Sequence, residues 1–194
     1  MTFEELDQRA IQWNEIANWR RSLNERLATQ AMLCKEEMAH EFVLNYFSCA
    51  CAFYSSGMKT SRENKIQFLD DFADSRFVFI EYENLCKKSN QEPLGFIHNL
   101  LTCISIEAHD SGASNVIAEA YRRVIESNFS KFVKADETHD MVWAQNEADE
   151  MSTPLGVTEK ITAELTQGYW VFRDQNGKIR KPSTFKPVDL SDLV

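Results

Sequence analysis

Apolar positions recur at helical spacing through most of the first 130 residues. Leu6, Ala10, Trp13, Ile16, Leu23 and Leu27 are separated by steps of three, four and seven, which line them up on one side of a helix. Thr2, followed three positions later by Glu5, is a capping box that starts this helix. The stripe predicts a helix running toward Ala31, with a break near Thr29 as the alternative. A second helix is expected over residues 32–54, stopped by Ser55, Ser56 and Gly57. A third, short one carries Ile66, Leu69 and Phe72 behind a cap at Thr60 or Ser61. Residues 77–83 fit either a buried strand or a helix. Helix is preferred there, because the neighbours are helical and a lone strand has no partner nearby. Pro93 suits the first turn of the next helix, which runs to about His109 and ends at Ser111 and Gly112. Ser114 then caps a helix whose buried stripe is Ile117, Tyr121, Val124, Ile125 and Phe132. Its solvated face is Glu119, Arg122, Arg123 and Glu126.

The pattern changes after Lys134. An acidic stretch comes first, and then a short helix is expected over residues 158–166, closed by Gly168. Residues 169–172 read as a strand, and Asn176-Gly177 is a strong hairpin-turn signal. Residues 178–181 are expected to return as its partner until Pro182 and Pro187 end the pairing. The fold class is therefore mainly α: a bundle of about five or six helices with a short C-terminal β-hairpin. Residues 1–134 form the bundle in this reading, and residues 135–194 an acidic connector plus a short helix and hairpin appendage.

Composition agrees with a packed domain. Six Gly and four Pro are too few for a turn-rich sandwich, and thirteen Phe with four Trp exclude a chain that lacks core material. The first residues have neither the basic start nor the apolar stretch of a secretion signal. Five cysteines, none in a C-x-x-C pair, lie in apolar helical segments, and a reduced, cytoplasmic protein is expected.

Charge narrows the partners. Lys and Arg number 21 against 30 Asp and Glu, a net charge of −9, which disfavours a broad phosphate-binding surface. The distribution is uneven. Asp136, Glu137, Asp140, Glu147, Asp149 and Glu150 fall in one stretch without a single Lys or Arg. Arg173, Lys178, Arg180, Lys181 and Lys186 reverse the sign further on, with Asp174 the one acid among them.

Enzyme-like patterns are weak by comparison. Glu37-Met-Ala-His40 has the Glu-x-x-His spacing of di-iron bundles, yet no second copy occurs in the chain. At roughly 100° per residue, Glu37 also falls opposite the apolar side of its helix, formed by Phe42, Tyr46, Cys49 and Phe53. His98 and His109 stand about 16 Å apart along one helix, too far to share a metal ion. Cys49 and Cys51 point about 200° apart. Nucleotide-binding glycine loops and the common hydrolase and zinc-protease motifs are missing. No catalytic, cofactor-binding or metal-binding residue is assigned, and no cofactor or small-molecule substrate is expected. A metalloprotein or enzyme using the region of Glu37 and His40 stands as the third reading.

Two elements remain. The first is 136–150, where Met141 and Trp143 sit among Asp136, Glu137, Asp140, Glu147, Asp149 and Glu150. An apolar anchor in an acidic, glycine-free segment has the make-up of a docking surface for a protein partner. The competing expectation is that Trp143 packs on its own domain. The second is the aromatic, basic hairpin with Trp170, Arg173, Lys178, Arg180 and Lys181, whose composition suits a nucleic-acid backbone. Its competing expectation is a hairpin whose aromatics close a core. A non-enzymatic interaction module (adaptor, regulatory subunit or inhibitor) is the leading reading. A nucleic-acid-associated protein, or an acidic mimic occupying a nucleic-acid-binding groove, is the alternative.

Overall fold

The computed structural model describes residues 1–36, 61–93, 95, 114–152 and 160–194. Among them are five α-helices: α1 (Phe3–Ala17), α2 (Leu23–Glu36), α3 (Arg62–Lys88), α4 (Ser114–Phe129) and α5 (Met141–Ser152). Three short strands, β1 (Phe132–Lys134), β2 (Thr162–Thr166) and β3 (Tyr169–Arg173), make one antiparallel sheet in the order β1-β3-β2. The protein is mainly α with a small C-terminal sheet. No helix among the described residues is long and apolar enough to cross a membrane. The folded chain groups into two compact units, one of residues 1–14, 20–125 and 189–194, the other of residues 15–19 and 126–188.

In the first unit, local chemistry sets the helix starts. The Thr2 backbone N–H donates to Glu5 at 2.7 Å and the Glu5 N–H donates to the Thr2 hydroxyl, so the expected capping box is formed. The long first helix is not. α1 ends at Ala17, and Ser22 and Glu25 make a second reciprocal box that starts α2 at Leu23. Ser61 caps α3 by accepting from the Asn64 N–H. Residues 77–83 are helical, and with the short helix expected before them they form one continuous 27-residue helix. Phe68, Leu69, Phe72, Phe77, Phe79 and Leu85 are buried on several sides of it. Ile117, Tyr121, Val124 and Ile125 bury one side of α4, as their spacing predicts. Cys34 and Cys86 are buried free thiols.

Two buried ion pairs tie helices of this unit together. Arg76 donates to both carboxylate oxygens of Asp7, at 3.0 and 2.8 Å, beneath the ring of Phe3, and the Tyr121 hydroxyl donates to the same carboxylate. Burial nevertheless holds the Asp7 carboxyl above its ordinary range, outweighing Arg76. Arg26 pairs with the buried Glu81, where burial again raises the carboxyl despite the guanidinium. Gln30 donates to the Val78 carbonyl at 2.8 Å, which extends the same α2–α3 seam.

An exposed clasp holds the C-terminal residues. Arg123 donates to Asp192 through both terminal nitrogens and to the Asp189 carbonyl, while pairing with Glu119 one turn back. Arg123 draws the Asp192 carboxyl down to about 2, and Arg122, then Arg123, draws Glu119 to about 2. Folded values below the ordinary ones mean that the clasp is fully formed above the usual carboxylate range and is lost as pH falls through about 2. NMR titration should find the Asp192 midpoint low in the native chain, and Arg123→Ala should return it to the ordinary range.

In the second unit, β3 is the central strand. It pairs with β1 in the register Phe132↔Val171 and with β2 in the register Glu164↔Val171. Here three expectations are corrected. Residues 162–166 are a strand, not the end of a helix. Phe132 lies on β1 rather than in the stripe of α4. The partner of 169–172 is chiefly β2, reached through a two-residue turn at Gln167 (φ 49°) and Gly168 (φ 81°), whereas 178–181 returns through the single bridge Arg173↔Ile179. Positive φ at both central positions is the type I′ turn, whose twist matches the strands it joins. α5 covers the sheet face made by Val133, Trp170 and Phe172, with Ala144, Ala148 and Ile161 filling the layer between.

Candidate functional site

The acidic stretch resolves into a capped helix rather than a loose connector. Asp136 accepts from the backbone N–H groups of Thr138 and His139, and from the His139 ring at 3.1 Å. The His139 N–H, then that of Thr138, keeps the Asp136 carboxyl below its ordinary range. Asp140 is the N-terminal cap of α5, accepting from the Trp143 N–H at 2.8 Å. Two of the six acids are therefore occupied in building the start of the helix.

Two more of the expected docking residues face inward. Trp143 is half-buried, edge-on to Phe172 at 6.1 Å and to His139 at 4.6 Å. Glu147 is buried and accepts from both the backbone N–H and the hydroxyl of Ser183. The spacing of Trp143, Ala144, Glu147, Ala148 and Met151 is the signal that marks this inner stripe. What α5 turns outward is Met141 (73% exposed) and Val142 (67% exposed), then Gln145 and Asn146, and finally Asp149 and Glu150. Gln145 donates to Asp149 at 3.0 Å. Glu137 is exposed just before the helix. The outward surface therefore brings together Glu137, Met141, Val142, Asp149 and Glu150. It excludes Trp143 and Glu147.

The basic hairpin residues are largely engaged within their own unit. Trp170 is buried against α5, and its indole N–H donates to the His139 carbonyl at 2.7 Å, so the ring has no free face for stacking on bases. Arg173 donates to the carbonyls of Gly177 and Ala17 and lies 3.4 Å from Glu164. Arg180 pairs with the buried Asp174 at 2.8 Å. Burial alone would raise the Asp174 carboxyl. The N–H groups of Lys178 and Asn176, with Arg180, bring it below its ordinary value instead. Lys181 lies over the Phe185 ring, and Lys178 is exposed. Two of the four cations are thus engaged with carboxylates of their own unit.

Glu37, His40, His98 and His109 lie outside the described residues, as do Cys49, Cys51 and Cys103. Among the described residues no group of three or more His, Cys, Asp and Glu is placed to hold a metal ion. An open depression near the C-terminal end of α3 is lined by Glu83, Lys87, Asn90 and Gln91, and Lys87 there is paired with Glu83 at 3.6 Å. It brings together no nucleophile and base. Comparison of the chain with protein-family models, with curated proteins and with solved structures gives no match.

Proposed function

We propose that the chain is a non-enzymatic protein-interaction module whose partner docks on the outward surface of α5. The observation that carries the reading is the adjacent exposed pair Met141 and Val142 on a helix whose other exposed side chains are amides and carboxylates. Single exposed apolar residues are ordinary on soluble proteins. Two together, rimmed by one sign of charge, suit an anchor with a steering field around it. Trp143 serves this surface from below, by fixing α5 on Phe172.

The test is capture from the native host with the tagged full chain, compared with a Met141→Glu/Val142→Glu double variant. A stoichiometric protein retained by the native chain and lost by the variant is the expected outcome. Exposed substitutions usually change stability by about 0.5 kcal/mol or less, so the variant should melt with the native chain. A partner that binds both forms equally would remove α5 from the interface.

A further inference from the structure

Beside α5, the strand β2 is an open edge of the sheet, since the order β1-β3-β2 leaves nothing beyond it among the described residues. The type I′ turn fixes which of its backbone groups are satisfied. Thr166 and Tyr169 flank a two-residue turn and form the closing hydrogen-bonded pair, so Thr166, Glu164 and Thr162 bond to β3. The N–H and C=O groups of Ala163 and Leu165 therefore point away from the sheet. Natural edges are commonly blunted by Lys, Pro or a bulge. Residues 162–166 contain neither Lys nor Pro, and their register to β3 is unbroken; the nearest cation along the chain is Lys160.

Leu165 shares the sheet face of Trp170, its cross-strand partner, yet is 54% exposed. The direction of α5 explains what lies next to it. The C-terminal end of the helix meets the start of β2, where the Ile161 N–H donates to the Ser152 hydroxyl. The residues that lead into the helix meet Trp170 through the His139 carbonyl. At roughly 100° per residue, Met141, Gln145 and Ser152 fall on one side of α5, and Trp143 and Glu147 on the opposite flank. Met141 thus stands on the β2 side, at the Leu165 end of the strand. Met141 and Leu165 are both exposed apolar side chains, and Leu165 lies on the strand whose outward backbone groups have no partner among the described residues.

We propose, resting on the α5 reading above, that β2 receives an added strand from a cationic, extended segment of another protein. Backbone pairing to Ala163 and Leu165 would supply the register, and alternate apolar side chains would cover Leu165 and Met141. Charge selects the occupant. The α5 segment presents Glu137, Asp149 and Glu150 without a cation from residue 135 to 152. A second copy pairing β2 with β2 would bring two such acidic surfaces together, so a cationic partner is favoured over self-association.

The test uses the full chain and a labelled heptapeptide of alternating Lys and Val, read by fluorescence anisotropy. Binding should weaken at least tenfold with Leu165→Pro, which deletes an outward N–H on an edge where proline is tolerated. N-methylation of the peptide backbone should do the same, and an alternating Glu and Val peptide should not bind. If Leu165→Pro fails to fold, Leu165→Lys keeps the backbone and must give the same loss through like charge and a lost contact. No binding of the Lys and Val peptide, or equal binding by the Leu165 variants, overturns the edge proposal. The two readings separate through the captured native partner. Loss with Met141→Glu/Val142→Glu but retention with Leu165→Pro keeps α5 and sinks the edge, and retention with both sinks both.

Discussion

Arg76→Ala should destabilise the first unit by about 3–5 kcal/mol, the cost of leaving a largely buried carboxylate without its partner. Asp7 loses both charge-assisted bonds at once, and Tyr121 alone remains to donate to it. The side chains of the pair are only 18% and 15% exposed, so water does not replace what is removed. The loss should also depend on pH in a definite direction. Burial already holds the Asp7 carboxyl above its ordinary value with Arg76 present, and removing the guanidinium raises it further. A carboxyl raised by folding favours the protonated native state, so the deficit should shrink as pH falls through the raised value. Arg76→Lys keeps the charge but not the two-pronged geometry and should cost less. Chemical denaturation at neutral and mildly acidic pH measures all three. A deficit that grew on acidification would mean that Asp7 is not the group being relieved.

Trp170→Ala should be comparably severe in the second unit, at about 3–5 kcal/mol, the usual cost of removing a buried Trp. The ring fills the layer between α5 and the sheet, and its N–H satisfies the His139 carbonyl. Trp170→Phe keeps most of the packing and leaves that carbonyl unpaired, for a loss of about 1–3 kcal/mol. Nucleic-acid binding gives the contrasting result. If Trp170 were a stacking platform, its removal would weaken oligonucleotide affinity and leave the melting temperature alone. Denaturation and oligonucleotide titration of the same variant separate the two.

What the sequence made legible was chiefly local and periodic. Thr2 with Glu5 is a self-contained chemical signal, and the α4 stripe is a long amphipathic repeat; both are present in the structure. Ser22 with Glu25 carried the same signal as Thr2 with Glu5, but the apolar steps from Ile16 to Leu23 and Leu27 continued across it. Residues 158–166 were harder. Ile161 and Leu165 stand four apart, which is helical spacing, while the turn that makes β2 a strand uses Gln167 at positive φ, a residue with no special preference for that region. Asn176-Gly177 does turn, with Gly177 at φ 77°, but Asp174 accepts from the Asn176 and Lys178 N–H groups, and the returning run pairs with β3 only briefly.

The candidate surface was legible in part. Its acidity and the presence of apolar anchors follow from composition. Which anchor faces outward depends on where α5 begins, and Asp140 sets that by capping Trp143. Glu147 reads as one more surface acid until Ser183, far along the chain, is folded onto it. The exposure of Leu165 on the sheet face of Trp170 belongs to tertiary structure alone, because nothing in the local pattern shows that α5 leaves it uncovered.

The most direct measurement is amide hydrogen exchange on the full chain, alone and in complex with its captured partner. In the free chain the Ala163 and Leu165 amides should exchange rapidly, while those of Glu164 and Thr166, bonded to β3, should be protected. In the complex, protection should appear at Ala163 and Leu165, together with reduced exchange across the start of α5 around Met141 and Val142. Unchanged exchange at all of these positions, with protection arising elsewhere, would contradict the proposed interface.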